Sequence, residues 1–267
     1  MVSIAKLPRI SNMNVFFTDY FQRSLPVVIA GGAKKMGAFQ KWNDQFLMEI
    51  LGQDRPKVRL ADGRYARIPF PDFLSYLENP TMYKSNLAPI YLTDYWVVPV
   101  LGDLKRAALA PDVKCPLQRG STKFVDWMTI YAGPKGSSST MHQDIFSTHT
   151  WLAELRGRKT WRICAPSSIQ ENKSTQINAF GEDEIHCEVF EGVLDAGDLI
   201  YLPPDWWHQV VNSGLSTFSI SGNFCTLSEA HEIYKKIEEG VLVKNRKVWL
   251  PIWKEIIETS LNLPEDC

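Results

Sequence analysis

The chain has 267 residues, a formal net charge of −1 at pH 7 and a hydrophobic content of 45%. This length can bury a substantial core, in one enlarged domain or in two. The near-zero charge excludes a general attraction to nucleic acid or to anionic membranes. The apolar runs are too short, or too often interrupted by charge, to span a bilayer.

The first nine residues contain Lys6 and no long apolar region, so they lack the pattern of a secretory signal. Five cysteines without a Cys-x-x-Cys pair argue against a structural zinc site and favour a reducing compartment. The expected location is the cytoplasm, with the nucleus as the alternative.

Residues 1–89 predict a scaffold of helices and short strands. Four aromatic side chains recur at helical spacing and predict an apolar helical face: Phe16, Phe17, Tyr20 and Phe21. The scaffold is expected to pack around a barrel of residues 90–224, within a single domain of residues 1–267. Two polar inserts in the barrel, residues 104–123 and 167–188, are expected to border a substrate entrance.

The most informative residues lie near the middle of the chain, where His142 and Asp144 are separated by Gln143. In a strand, residues i and i+2 point to the same face, so both side chains can reach one ion while Gln143 turns away. A chance His-x-Asp pair on a solvated loop is the alternative interpretation. A third ligand from a neighbouring strand would exclude it.

His208 is the predicted third ligand. It lies in the pattern Gly-Asp-x4-Pro-x4-His-x3-Asn over residues 197–212, in which residues 199–202 predict a buried strand and residues 206–211 a returning strand. Two imidazoles and one carboxylate form the facial triad that holds non-haem Fe(II) and leaves coordination positions open. The pattern therefore predicts an oxygen-activating enzyme.

The carboxy-terminal tail, residues 225–267, predicts two helices. Thr226 and Glu229 form a capping-box pattern at the start of the first helix, and Pro251 is expected to begin or kink the second. The apolar stripes of these helices can cover the barrel or pack against a second copy of the chain, so a homodimer through the tail is one expectation.

These motifs, together with residues 131–134, 144–146 and 151–161, resemble the Jumonji-C branch of the cupin-fold 2-oxoglutarate oxygenases, and most closely its small protein hydroxylases. The resemblance implies a mainly β fold with flanking helices: a double-stranded β-helix (jelly-roll or cupin) barrel with an amino-terminal α/β scaffold and carboxy-terminal helices. It also implies a dioxygenase that uses Fe(II), O2 and 2-oxoglutarate and releases succinate and CO2.

Lys159 is the implied partner of the distal 2-oxoglutarate carboxylate, since it lies seventeen positions after His142. An ammonium among apolar neighbours needs an anion, although a solvated lysine is the alternative. The resemblance adds the hydroxyls of Ser139 and Tyr91 to the co-substrate site, although a core tyrosine is nearly as good an explanation of Tyr91.

Two further positions bear on the co-substrate. Asn223 closes an apolar strand with alternating small polar residues and is a candidate to contact the cofactor region, or else a structural amide. Leu152 stands where related hydroxylases often have asparagine. This departure leaves the orientation of 2-oxoglutarate open.

The substrate expected first is a protein or peptide side chain, because the resemblance is to small protein hydroxylases. The alternatives are a small metabolite or natural-product precursor, and a non-catalytic metal-binding cupin that serves as an interaction module. Nothing in the sequence indicates a nucleic-acid or membrane partner. The remaining histidines lack ligand spacing and are expected to be packed or exposed: His149, His186 and His231.

Overall fold

The protein, seen in a computed structural model, is described for residues 4–82, 88–96, 117, 124–169, 177–181, 187–243 and 245–261. The insert at residues 104–123, except residue 117, lies outside this part of the chain, as do His186 and part of the insert at residues 167–188. The strands are β1 Ile4–Lys6, β2 Arg9–Ile10, β3 Val27–Ile29, β4 Lys57–Arg59, β5 Tyr65–Arg67, β6 Tyr91–Trp96, β7 Phe124–Pro134, β8 His149–Arg156, β9 Arg158–Cys164, β10 Val189–Asp195, β11 Leu199–Leu202, β12 Trp207–Asn212 and β13 Ser216–Thr226.

Helical segments flank the strands. The α-helices are α1 Gly37–Lys41, α2 Asp44–Leu51, α3 Phe70–Glu78, α4 Leu227–Glu238 and α5 Arg246–Leu261. A π-helical turn spans Phe16–Phe21, and 3-10 turns span Met13–Val15, Pro80–Met82, Ile145–Ser147 and Pro166–Ser168. Within the described ranges, no helix has the length and hydrophobicity needed to cross a bilayer.

The strands form two sheets. One has nine strands in the order β2-β3-β11-β8-β13-β7-β6-β4-β5, and the other has four in the order β1-β10-β9-β12. Strand β11 is buried along its whole length because it lies inside the larger sheet with both faces covered. The predicted mainly β jelly-roll architecture with flanking helices is confirmed.

The turn at Gly157 leads the chain from the larger sheet into the smaller one. Gly157 has φ +92°, and a Cβ atom there would come within 2.1 Å of the carbonyl oxygen of Ser216. Only glycine fits this turn without strain. The turn places β8 and β9 on opposite walls, so that residues from both reach the space between the sheets.

The amino-terminal scaffold belongs to the larger sheet, because β2 and β3 extend one side of it and β4 and β5 the other. The predicted aromatic helical face forms the π-helical turn Phe16–Phe21. Its Phe16 is fully buried and packs edge-on against Tyr201 of β11, with ring centroids 5.0 Å apart. The scaffold thus supports the strand that precedes His208.

The tail folds as two helices, as predicted. The capping box at α4 is confirmed, since the Thr226 hydroxyl accepts from the Glu229 backbone and the Glu229 carboxylate accepts from the Thr226 backbone. Pro251 lies inside α5 and does not begin it. Trp249 and Trp253 of α5 pack edge-on against Phe146, with centroid distances of 4.8 and 5.4 Å. The tail therefore buttresses the segment that carries Asp144, and a homodimer through it stays a prediction.

Candidate metal centre

The structure brings His142, Asp144 and His208 together. One ligand atom from each residue lies within 4.8 Å of the other two. His142 and His208 form an isolated β-bridge, with backbone N–H···O distances of 3.0 and 2.8 Å in the two directions. Nε2 of His208 lies 3.9 Å from Oδ1 of Asp144. This spacing suits three ligands of one divalent ion.

The segment carrying His142 and Asp144 is extended but is not a regular strand, unlike the prediction. It pairs with β12 through two isolated bridges, Ser138↔Val211 and His142↔His208, and through the Ser139 N–H, which donates to the Val210 carbonyl at 2.9 Å. Asp144 precedes the 3-10 turn that follows. His142 and Asp144 still point to the same side, as predicted, because an extended backbone directs residues i and i+2 to one side without a continuous ladder of hydrogen bonds.

Both imidazoles are oriented by backbone carbonyls two residues earlier in the chain. Nδ1 of His142 lies 2.8 Å from the carbonyl oxygen of Thr140, and Nδ1 of His208 lies 3.1 Å from that of Trp206. When Nδ1 donates in this way, the Nε2 lone pair is left for a metal. Burial and the neighbouring His142 lower the pKa of His208 to about 4, which keeps the imidazole in the neutral form that binds metal.

The carboxylate of Asp144 is oriented by side chains of the larger sheet. Thr150 on β8 donates its hydroxyl to Oδ2 of Asp144, and Asn223 on β13 donates to Oγ1 of Thr150 at 2.9 Å. Asn223 therefore acts on the ligand through Thr150. The sequence analysis does not predict this role of Thr150. Its position two residues before Leu152 was the available signal, because residues i and i+2 of a strand point to the same face.

A cavity of about 360 Å³ opens beside the three ligands. Four residues predicted near the co-substrate line it: Tyr91, Ser139, Leu152 and Asn223. Several residues that the sequence did not single out for this site also line it: Arg59, Asp94, Tyr131, Thr150 and Trp161. Trp161 stacks on the His208 ring, with centroids 5.5 Å apart. Four other aromatic side chains of the barrel are buried: Tyr95, Trp151, Trp206 and Trp207.

Lys159 is fully buried, with 0% of its surface exposed, which excludes the solvated alternative. Its Nζ donates to Oδ1 of Asn212 at 2.6 Å and lies 3.4 Å from the Thr217 hydroxyl and 3.5 Å from the Tyr91 hydroxyl. The ammonium thus lies behind Tyr91, one contact away from the cavity. Among the described residues, no carboxylate oxygen lies within 4.0 Å of it.

Glu154 is a buried acid on which the positive charge of Lys159 acts, but the two side chains do not form an ion pair. Its Oε2 accepts from the Ser219 hydroxyl at 2.8 Å, and its buried Oε1 has no hydrogen-bond partner among the described residues. Burial raises the pKa of Glu154 to about 8, although the positive charge of Lys159 opposes the shift. Glu154 is therefore mainly protonated at neutral pH, and the buried cation fits an anionic ligand such as the distal carboxylate of 2-oxoglutarate.

The raised pKa of Glu154 predicts a pH-dependent stability. Between the unfolded value near 4.5 and the folded value of about 8, the native state binds more protons than the unfolded state. The free energy of unfolding therefore falls as pH rises through this window. The free energy of unfolding of Glu154→Gln, relative to that of wild type, should therefore rise by up to about 4 kcal/mol between pH 5 and pH 8. Urea unfolding of metal-free protein measures it.

The control Glu49→Gln makes the same change at an exposed carboxylate on α2, and it should not reproduce the gain. Parallel pH profiles for wild type and Glu154→Gln would mean that the native state holds Glu154 ionised. Glu154 would then be the counter-ion of Lys159.

Comparison with known proteins assigns the family. Residues 13–225 match the family model described as a cupin-like domain. The chain is 26% identical over 238 residues to lysine-specific demethylase JMJ30 of Arabidopsis thaliana, covering 80% of this chain and 53% of that protein. It is 26% identical over 148 residues to the 2-oxoglutarate and iron-dependent oxygenase JMJD4 of Danio rerio, covering 50% and 34%. It is 21% identical over 272 residues to the bifunctional arginine demethylase and lysyl-hydroxylase psr-1 of Caenorhabditis briggsae, covering 88% and 65%.

The class defined by fold and site is thus that of the cupin proteins with a site for one metal ion. The chain belongs to the cupin-like domain family, and its similarity is to the Jumonji-C oxygenases within it. The predicted resemblance is confirmed, and the names of these relatives support the predicted enzyme class and the cofactors iron and 2-oxoglutarate. The chain spans about half or less of the length of the first two relatives.

Proposed function

We propose that the protein is an Fe(II)- and 2-oxoglutarate-dependent oxygenase that hydroxylates a basic side chain of a protein or peptide, releasing succinate and CO2. The observation that carries the proposal is the convergence of His142, Asp144 and His208 beside a cavity. The Lys159 ammonium lies behind one wall of this cavity, with no carboxylate partner among the described residues. Iron, 2-oxoglutarate and O2 supply the oxidising chemistry when bound, and the protein positions the reacting groups.

Three residues of the chain would bind the metal ion, and their neighbours would orient them. His142, Asp144 and His208 would hold the ion, with their orientations fixed by two backbone carbonyls and by the Thr150 hydroxyl. Two imidazoles and one carboxylate would leave coordination positions of the ion open for co-substrate and O2. Burial of His208 among Trp161 and other apolar neighbours keeps water from this side of the site.

The co-substrate would be held at the Lys159 end of the cavity. The Tyr91 hydroxyl lies between the ammonium and the cavity. Oγ of Ser139 accepts from the Val210 backbone at 3.0 Å, so its own hydroxyl proton is available for a ligand oxygen. Leu152 presents an apolar wall to the cavity, so these hydroxyls would supply the polar contacts.

Asp94 supports a basic substrate. It lies at a register shift between β6 and β7 with φ +54°, lines the cavity, and accepts a hydrogen bond from the Tyr131 hydroxyl at 2.8 Å. No lysine or arginine nitrogen of the described residues lies within 4.0 Å of its carboxylate. An anion at the cavity wall favours a cationic side chain. The names of the similar proteins, which refer to lysine and arginine substrates, agree with this choice.

Asp94→Asn is expected to raise KM at least about tenfold for a lysine or arginine peptide, since about 1.4 kcal/mol of charge interaction is lost. Asparagine tolerates the positive φ and keeps an acceptor for Tyr131, so the backbone should be retained. Peptide hydroxylation kinetics measure the effect. Asp62→Asn, at an exposed carboxylate paired with Arg64, serves as the matched control and should leave KM unchanged. An unchanged KM in Asp94→Asn would exclude this carboxylate from substrate binding.

The proposed function is tested with a peptide library containing lysine or arginine at the centre, incubated with protein, Fe(II), 2-oxoglutarate and O2. Mass spectrometry should reveal a gain of one oxygen atom on a subset of these peptides. Turnover confined to protein-free extracts would instead identify a small metabolite as the substrate. A protein that binds partners equally well after His208→Ala and modifies nothing would be an interaction module.

A further inference from the structure

A basic groove lies beside the metal centre on the β4–β5 hairpin. We define it by Arg55, Lys57, Arg59, Tyr65 and Arg67. In the register of the hairpin, Lys57 lies directly opposite Arg67, and Arg59 lies opposite Tyr65. Because side chains alternate along a strand, Lys57 and Arg59 share one face while Val58 between them is buried on the other.

This arrangement of charges is unfavourable for the hairpin itself. Like charges directly opposite each other on paired strands destabilise the pair. Among the described residues, no carboxylate oxygen lies within 4.0 Å of the cations of the basic groove. Arg67 donates to the carbonyl of Arg55 at 3.1 Å, and Lys57 lies over the Tyr65 ring at 3.9 Å. Neither contact neutralises a positive charge, so both cations remain available to an anionic ligand.

The basic groove adjoins the metal-centre cavity. A depression of about 390 Å³ is lined by Arg55, Lys57 and Arg67, and Tyr65, Thr93 and Asp94 line both it and the metal-centre cavity. Arg59 lines the metal-centre cavity from the same hairpin face. Tyr65 is 52% exposed at the junction. A peptide with one residue in the metal-centre cavity can therefore extend along the basic groove.

We propose that the basic groove binds acidic residues that flank the target residue of a protein substrate. The inference rests on the proposed function and specifies its substrate as a peptide with a basic target and acidic neighbours. Charge complementarity supports the acidic segment. The carboxylates of Asp54 and Asp94 lie among the cations of the same depression. They would repel the continuous negative charge of a nucleic acid and suit a peptide of mixed charge.

Binding of synthetic peptides tests this proposal. Two fluorescent 16-residue peptides share a central lysine and differ in one flank, which carries four glutamates or four glutamines. Fluorescence anisotropy at low salt should give a Kd at least about tenfold lower for the glutamate peptide. Lys57→Glu should remove most of this preference. It places a carboxylate opposite Arg67, so the thermal midpoint should stay constant or rise.

The control Lys35→Glu makes the same charge change at an exposed lysine that lines neither cavity, and should keep the preference. Arg67→Glu repeats the test from the other strand. Equal binding of both peptides by wild type, or an unchanged preference in both groove variants, would overturn the inference. So would tighter binding of a single-stranded RNA of matched charge that also depends on Lys57. Uncoupled succinate formation by wild type reports on the proposed function separately, because it needs no peptide.

Discussion

Replacement of His208 by alanine is expected to weaken divalent metal binding by more than about 100-fold, since even supporting residues around metal ligands change affinity by 10- to 100-fold. His208 supplies a buried, neutral imidazole whose Nδ1 is already committed to the Trp206 carbonyl. Its loss leaves His142 and Asp144, which cannot complete the facial triad. Titration of metal-free protein with Co(II) measures the effect without any enzyme assay.

His231→Ala is the matched control, because His231 is exposed on α4 and bonds only the Leu227 carbonyl among the described residues. It should leave metal affinity unchanged. Thermal unfolding of metal-free His208→Ala shows whether the fold is retained. A folded His208→Ala protein that binds Co(II) as tightly as wild type would place the metal elsewhere.

The second large effect is expected at Lys159. Truncating one partner of a buried charge pair costs at least about 2 kcal/mol, which corresponds to roughly a 30-fold rise in the Kd for 2-oxoglutarate. Lys159→Met keeps most of the side-chain volume, so the effect should come from the charge. Because Nζ lies behind Tyr91 and does not contact the three metal ligands, Co(II) affinity should remain near the wild-type value.

Arg158→Met removes a neighbouring cation that is exposed and paired with Asp195, and it should bind 2-oxoglutarate normally. Calorimetric titration of 2-oxoglutarate into Co(II)-loaded protein compares the three proteins. Equal losses of metal and 2-oxoglutarate binding in Lys159→Met would contradict the assigned role. They would indicate that Lys159 supports the barrel as a whole.

The metal triad could be predicted because its ligands lie in two short motifs whose spacing has a local meaning. The separation of His142 and Asp144 by one residue fixes a common face, and the turns around residues 199–202 fix a strand that returns with His208. The capping box of Thr226 and Glu229 is equally local and was equally predictable. In each case, the contacts depend on residues close together in sequence.

The rest of the site depends on contacts between distant parts of the chain. Arg59 and Asp94 reach the metal-centre cavity because β4 and β6 pair in the larger sheet, and strand order cannot be deduced from either residue alone. Asp94 also requires the register shift between β6 and β7. A single sequence gives no local signal for such long-range pairings.

Pro251 shows how packing overrides a local rule. Proline inside a helix removes a backbone donor and crowds the preceding turn, which is why the sequence predicts a helix start or a kink. In α5 it is tolerated within a helix whose Trp249 and Trp253 pack against Phe146. This contact depends on Phe146, which lies about one hundred positions earlier in the chain and close to the predicted metal ligand Asp144.

The most direct test of the proposed oxygenase function is succinate formation from 2-oxoglutarate by protein loaded anaerobically with Fe(II) and then exposed to O2. We expect slow, iron-dependent turnover without any added substrate, and its loss in His142→Ala. Turnover that is unchanged in His142→Ala would contradict the assigned metal centre. Failure of the iron-loaded wild type to bind 2-oxoglutarate or form succinate, even with lysine and arginine peptides present, would contradict the oxygenase function.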